Sequence, residues 1–379
     1  MRIALHTPMK AFESPVPSGD RQFAKLIRRA LELEGHTLAV PTGFTTWAAA
    51  PEGDGALFAA AGAEAERIGA LFAADGAPDL WLTYHNYHKA PDLLGPHLSS
   101  RFGIPYAIIE ASRARSRAEG PWAARFAAAD FALRAAHAVA AVHEGDRIGL
   151  AAIVPASRLH LFPPFIDATP FRAAASTRAS ASPDGVPRLL AVGMMRPGDK
   201  ANSYRVLAEA LARIADRPWT LTIVGDGPAR GEIAARFDPA RTTFAGAVAP
   251  EALPDFYAAA DLLVWPAIGE AFGMVFLEAQ AAGLAVIGGA RPGVAAIVRD
   301  GETGFLAPEG NAAAFATAIV GLASALEARI RMGRAAADHI ARDHDLSAGR
   351  ARLTSLIAAA VAVRADLPSP AERTAPCAP

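Results

Sequence analysis

The sequence predicts an α/β protein of two domains, each built on a parallel sheet covered by helices on both faces. Three observations carry that reading. At 379 residues the chain exceeds what one hydrophobic core usually organises. Short apolar runs alternate with helix-length segments almost from end to end, the pattern of parallel strands joined by crossover helices. The alternation pauses once, at Ala173–Gly185, a polar stretch rich in Ala, Ser and Arg, and starts again at Arg188. Hydrophobic residues make up 52% and charged residues 20%, enough for a sizeable core, and much of the apolar share is alanine. A net charge of −1 argues against a nucleic-acid partner, which would call for a basic balance. The single cysteine, Cys377, leaves no intrachain disulfide and no cysteine metal cluster. Met-Arg-Ile-Ala-Leu-His at the start reads as a strand rather than a signal peptide, and no uninterrupted apolar run is long enough to span a bilayer. The default expectation is a soluble cytoplasmic protein.

In the first half, Arg2–Thr7 is the first strand and Pro8–Gly19 a long loop with several Pro and Gly. Phe23, Leu26, Ile27, Ala30 and Leu31 recur at helical spacing and stop at Gly35. Thr37–Val40 follows as a strand, then a helix within Ala56–Ala74, strand Asp79–His85 and helix Asp92–Phe102. Strand Tyr106–Ile109, helix Trp122–His137, strand Ala138–Val142 and a short helix at Asp146–Ile153 continue the series, and Arg158–Phe162 leads into Pro163-Pro164-Phe165-Ile166-Asp167.

The second half has strands at Leu189–Met194, Leu221–Val224, Thr243–Ala245, Leu262–Trp265, Leu284–Ile287 and Gly304–Leu306. Helices fall near Ser203–Ala215, Ala229–Phe237, Pro250–Ala260, Met274–Ala282 and Asn311–Leu322, with two more at Glu327–Asp343 and Ser347–Val363. The Pro/Ala-rich residues 367–379 read as a disordered tail.

The chemistry concentrates in Asp261–Gly289. A buried strand ends at Pro266, Ala267–Gly273 forms a turn, and Met274–Ala282 is a short helix stopped by Gly283. The amides of Phe272, Gly273 and Met274 fall at the helix N-terminus, at the positive end of its dipole. Glu270 lies in the turn, and Glu278 lies roughly 6 Å along the axis from Met274. A strand, a turn and a helix start aimed at one crevice suit an anionic, hydroxyl-rich ligand, although either acid taken alone reads equally well as a solvated surface group.

Glu270-Ala-Phe-Gly-Met-Val-Phe-Leu-Glu278, with the Glu-Ala and Ala-Gly that follow, resembles the two-glutamate signature of retaining GT-B glycosyltransferases of family 4, the glycosyl transferases of group 1. The resemblance implies the GT-B fold, two Rossmann-like domains whose parallel sheets face a central cleft. It implies an N-terminal acceptor domain over residues 1–170, a linker over 171–187, and a C-terminal nucleotide-sugar domain over 188–346. The last helix, 347–363, would return to the first domain. It makes Glu270 and the amides of Ala271, Phe272, Gly273, Met274 and Val275 the holders of donor sugar and diphosphate, and Glu278 a ribose ligand.

Four further segments take their meaning from the same resemblance. Val224-Gly225-Asp226-Gly227-Pro228 matches a regular glycine turn of the family, and the loop at Gly19 is similar to its phosphate-approaching glycine loop, with Ser18 in place of the first glycine. Gly193-Met194-Met195-Arg196-Pro197-Gly198-Asp199-Lys200 stands where the family carries an arginine and a lysine against the diphosphate. Lys200 keeps its place, while Met194 occupies the arginine position and Arg196 is the substitute. In the first half, His85 falls near a family histidine beside the cleft. Glu110-Ala111-Ser112 replaces the usual histidine after Ile104-Pro105-Tyr106, so His85, Glu110 and Ser112 become the candidate acceptor or sugar contacts. Ala296 stands where the family commonly has a glutamate. The run Arg113, Arg115, Arg117 reads first as a solvated face; an anionic acceptor or phospholipid headgroups would also be met by it.

The resemblance implies transfer of a sugar from a nucleotide diphosphate sugar to the hydroxyl of a sugar, glycan or small-molecule acceptor. Anomeric configuration would be retained, with no cofactor and no metal, Arg196 and Lys200 offsetting the leaving-group charge. A nucleotide-sugar hydrolase or epimerase, and a non-catalytic nucleotide-sugar binder, are the alternatives.

Overall fold

The computed structural model describes residues 1–14, 18–176 and 185–366. The chain divides into two compact units, Met1–Pro163 with the chain from Gly349 onward, and Pro164–Ala348. Each contains one six-stranded sheet, parallel throughout.

The first unit runs β1 Arg2–His6, α1 Gly19–Leu33, β2 Thr37–Ala39, α2 Asp54–Asp75, β3 Leu80–Asn86, α3 Gly95–Phe102, β4 Tyr106–Ala111, α4 Ala123–Ala135, β5 Ala138–Ala141, α5 Glu144–Leu150 and β6 Leu159–Leu161. Its strands lie in the order β2-β1-β3-β4-β5-β6. β3 is buried along its whole length, including its polar residues Thr83, His85 and Asn86. Ile68, Trp81, Leu98, Tyr106, Leu133 and Val139 belong to the core between this sheet and its helices. The helix expected from Asp92 starts at Gly95 instead. The Asp92 carboxylate accepts the N–H groups of Leu94 and Gly95, each at 2.9 Å, and so closes the turn that precedes the helix.

The second unit runs α6 Thr169–Ser176, β7 Arg188–Val192, α7 Asp199–Ala212, β8 Thr220–Val224, α8 Arg230–Ala234, β9 Thr242–Gly246, α9 Leu253–Ala259, β10 Leu262–Trp265, α10 Met274–Ala281, β11 Ala285–Gly289, α11 Pro292–Ala295, β12 Gly304–Ala307, α12 Ala312–Ala323 and α13 Leu326–His339. A π-helical turn, Ile340–His344, leads into α14, Leu346–Ala365. The strand order is β12-β11-β10-β7-β8-β9. Central strands β7 and β10 pair Leu189 with Leu262 and Leu190 with Leu263, four side chains shielded from water.

Ala173–Ser176, which composition assigns to a linker, are helical. They complete α6, whose Phe171 meets Tyr257 of α9 edge-on at 5.7 Å, so apolar anchoring overrides the low-complexity signal. Residues 177–184 and the tail 367–379 lie outside the described residues. α14 is long and apolar enough to cross a membrane by length and composition alone. Its apolar face is accounted for by Leu353, Leu356, Ile357 and Ala360, all buried, and Arg350, Arg352 and Arg364 bond to Glu34, to the Pro163 carbonyl and to the Gly103 carbonyl.

Candidate active site

In a parallel sheet the loops that follow the strands gather at one edge, where α/β proteins place ligands. In the second unit the loops after β7, β8 and β10 meet at that edge, with Glu309 reaching them from the loop after β12. The first two are laced together by backbone bonds: Gly193 N–H to Val224 O at 2.9 Å, Met195 N–H to Asp226 O at 2.9 Å, and Ala229 N–H to Met195 O at 2.9 Å. Gly225 and Gly227 have φ of 142° and 154°, and a Cβ on them would lie 1.9 Å from the Gly193 carbonyl oxygen and 2.4 Å from that of Met195. The close approach that the glycine turn permits is therefore to the neighbouring loop, whose shape depends on it.

The loop after β10 is held at three successive residues. Ile268 N–H donates to Ser203 Oγ at 2.9 Å, Gly269 N–H donates to Glu309 Oε1 at 3.1 Å, and the Glu270 carboxylate pairs with the Lys200 ammonium. Trp265 Nε1–H donates to the same Glu270 oxygen at 3.2 Å, and Lys200 Nζ also lies 5.4 Å from the Trp265 ring centroid. Arg291 braces Glu309 at 3.0 Å. The Gly269 amide, and after it Arg291, hold the Glu309 carboxyl below its ordinary pKa despite some desolvation. Ala267, fully buried, takes φ of 56°, an uncommon conformation for a residue with a Cβ and one that clusters at functional turns.

Lys200 and Glu270 are thus brought together across seventy residues of chain, with Trp265 between them. Arg196 contributes its carbonyl to the Ala201 N–H, in the first turn of α7, at 3.1 Å. Gly273 caps α10 at φ of 78°, and the N–H groups of Met274 and Val275 fall in the first turn, where a helix supplies no acceptor of its own. The Ala271 carbonyl packs against Gly293, where a Cβ would overlap it at 1.4 Å. Glu278 is no solvated surface acid: it is 8% exposed and accepts the Tyr257 hydroxyl at 2.6 Å on Oε2. Burial raises its carboxyl pKa, partly offset by that hydrogen bond, and burial followed by the Glu278 charge pushes the Tyr257 phenol well above its usual value. Trp265, Ser203, Tyr257 and Glu309 were not legible as site residues, since each lies on a separate element with no motif of its own. The Asp343-His344-Asp345 triplet has the spacing of a divalent-cation motif, but its carboxylates are engaged. Asp343 bonds His339, Arg299 and Arg342, and Asp345 takes the Ala168 N–H and Arg172.

The first unit presents its own cluster at the C-terminal edge of its sheet. Gly19 is the first residue of α1, capped by Ser18, which accepts the Arg21 N–H at 3.3 Å. Residues 15–17 of that loop lie outside the described residues. β3 and β4 pair Tyr84 with Ile109 and Asn86 with Ala111, so His85 faces Glu110. Both take left-handed backbone, φ 75° and 57°, and His85 Nδ1 lies 3.5 Å from Glu110 Oε1. Burial lowers the His85 pKa to about 4 and raises that of Glu110 well above the carboxylate range. Ser112 ties the strand ends through its N–H to Asn86 O at 3.2 Å. Arg113 leaves the basic run to pair with Asp130 at 2.8 Å over the Phe126 ring, while Arg115–Arg117 form an exposed 3-10 turn.

Residues 186–325 match the family model described as glycosyl transferases group 1. The likeness to the group 1 glycosyl transferases thus falls within the second unit. D-inositol 3-phosphate glycosyltransferase of Streptomyces scabiei is 34% identical over 212 residues, 52% of this chain and 46% of that protein. The Streptomyces griseus protein of the same name is 36% identical over 221 residues, again 52% and 46%. The chain spans about half the length of these curated relatives. Among solved structures, sucrose-phosphate synthase of Thermosynechococcus elongatus superposes with a TM-score of 0.74 at 20% identity, covering 94% of this chain and 98% of that one. Anabaena HepE in complex with UDP-glucose gives 0.67 at 18%, covering 94% and 99%. These likenesses establish the GT-B fold for the chain.

Proposed function

We propose that the chain transfers a sugar from a nucleotide diphosphate sugar to a hydroxyl of an acceptor, with retention of anomeric configuration and without a divalent metal. The observation that carries this reading is the Lys200–Glu270–Trp265 cluster beside the N-terminus of α10, with Glu278 one turn further along the same helix. A diphosphate set against the first turn of α10 meets N–H donors and the positive end of a dipole. Lys200 then exchanges its contact with Glu270 for a phosphate oxygen and offsets the charge that develops on the leaving group, and Arg196 is the second cation assigned to that work. Glu270, released from Lys200, accepts hydroxyls of the transferred sugar. Glu278, oriented by Tyr257, takes the ribose hydroxyls. The named activity of the relatives and the UDP-glucose in the HepE complex support a nucleotide-sugar donor for this chain as well.

The test is a panel of nucleotide sugars, with and without acceptors and chelator, read by release of nucleoside diphosphate and by the anomeric configuration of the product. Acceptor-dependent, chelator-insensitive release with retention is the expected result. Equal release without acceptor would identify a hydrolase, donor binding without release a regulator, and abolition by chelator would remove the metal-free charge scheme.

A further inference from the structure

Trp265 closes β10 and is fully buried, yet it touches both loops that carry the charged pair of the second unit. Its Nε1–H donates to Glu270 Oε1 at 3.2 Å, the same oxygen that meets the Lys200 ammonium. Among the described residues, Glu270 Oε2 receives no hydrogen bond. The indole is fixed on its other sides. Its ring meets that of Tyr204 edge-on at 5.0 Å, and the Tyr204 hydroxyl donates to the Gly193 carbonyl at 2.6 Å. A Cβ at Gly193 would lie 2.9 Å from the indole, so that glycine makes room for the ring. The two donors on Glu270 Oε1 therefore differ in freedom. Lys200 ends in a flexible chain and is 27% exposed, whereas Trp265 is shielded from water and held by its neighbours. An indole N–H can only donate, and a buried one has no water to turn to.

We propose that Trp265 is a positioning residue: it keeps hold of Glu270 Oε1 when Lys200 leaves, and so presents Oε2 to a hydroxyl of the transferred sugar. This role deepens the glycosyltransferase reading and rests on it. A diphosphate that draws Lys200 away strips the carboxylate of its charged partner at the moment it has to bind the sugar. A glutamate side chain released in this way gains rotamers, and ordering it again costs entropy. The indole hydrogen bond, strengthened by the charge on its acceptor, keeps one rotamer. Both donors sit on Oε1, so the departure of the ammonium leaves the geometry of the indole bond in place. A donor fixed beforehand needs no rearrangement as the reaction proceeds. Trp265 meets no part of the nucleotide in this scheme, so its effect falls on sugar transfer and not on nucleotide affinity.

Benzothienylalanine at position 265 keeps the shape of the indole and replaces its N–H by sulfur, so the packing against Tyr204 and Gly193 is retained. UDP-glucose, UDP-N-acetylglucosamine and GDP-mannose are offered to the full chain with glucose, fructose and myo-inositol monophosphate as acceptors, and the pair the wild type converts fastest is used thereafter. Single-turnover transfer, calorimetric affinity for the nucleoside diphosphate and the unfolding midpoint are measured for the wild type, the isostere, Glu270→Ala and the double variant. The isostere should slow transfer about tenfold or more, the scale of one lost hydrogen bond to a charged group, with nucleotide affinity and midpoint nearly unchanged. In Glu270→Ala no carboxylate remains to be held, so the same replacement should slow transfer by less than about threefold further. Undiminished transfer by the isostere, equal losses of transfer and nucleotide affinity, or losses that multiply independently in the double variant would overturn the proposal. No conversion of any pair by the wild type would remove the glycosyltransferase reading and the role of Trp265 together. A wild type that transfers sugar, matched by its isostere, would remove the role of Trp265 alone.

Discussion

Lys200 and Glu270 neutralise one another, so on the proposed function their substitution separates two roles. On that reading Lys200→Ala removes a contact that strengthens as the diphosphate leaves, and turnover should fall about 10²–10³-fold, the scale of a lost transition-state donor. Glu270→Gln should lower turnover while nucleoside diphosphate affinity stays nearly unchanged, because on that reading the carboxylate serves the sugar. Initial rates alongside calorimetric nucleotide affinities decide this, and an equal loss of both in Glu270→Gln would reject the division. His85 supports a prediction about pH. Its folded pKa, about 4, lies below the unfolded value of about 6.5, so between the two the unfolded chain binds more protons and stability falls as pH drops. The histidine contributes a slope of up to about 1.4 kcal/mol per pH unit across that window. Glu110, with its raised pKa, has the opposite sign and loses its contribution as pH rises. His85→Asn tolerates the left-handed backbone and carries no proton, so urea midpoints measured from pH 7 to 4.5 should decline less steeply than in the wild type. Parallel declines would exclude His85 as a source of acid sensitivity.

At the scale of elements, the loops after β7 and β8 are shaped by Gly225 and Gly227, each of which lies against backbone of the neighbouring loop. Gly225→Ala places a Cβ 1.9 Å from the Gly193 carbonyl at a φ that suits only glycine. The combined overpacking and backbone strain should cost roughly 2–5 kcal/mol. Gly62 lies on the exposed side of α2 with nothing within 4 Å of an added Cβ, so Gly62→Ala should stabilise by about 0.5–1 kcal/mol. Denaturant melts of the pair test whether the glycine turn is structural; a neutral Gly225→Ala would return the turn to ligand contact alone. Glu309 belongs to the same scale. It reaches the Gly269 amide from the loop after β12, so the geometry of the Glu270 turn depends on a segment thirty-nine residues downstream of it.

For the whole molecule, the second unit is one continuous segment, whereas the first is completed by chain that returns after it. Ending the chain at Ala348 removes Leu353, Leu356 and Ile357 from the first unit's core. Burial of three such side chains is worth roughly 5–9 kcal/mol, comparable to the entire stability of a domain. The truncated chain should therefore lose the first unit's calorimetric transition and keep, on the proposed function, nucleotide binding in the second. Retention of both transitions would show that α14 is dispensable to the first unit.

Alternating apolar runs and helical periods were enough to foretell two parallel α/β sheets, because side-chain burial on both faces of a strand is written locally. The Glu270–Glu278 spacing was legible for the same reason: a turn and the helix it opens are contiguous in the chain. What pairs across distance was not. Lys200 against Glu270, Tyr257 against Glu278 and Glu309 against Gly269 each join residues on separate elements, and only the order of strands in the sheet brings those elements to one edge. The facing of His85 and Glu110 was hidden likewise, since register between parallel strands is set by packing of the intervening helices and leaves no mark in either strand alone.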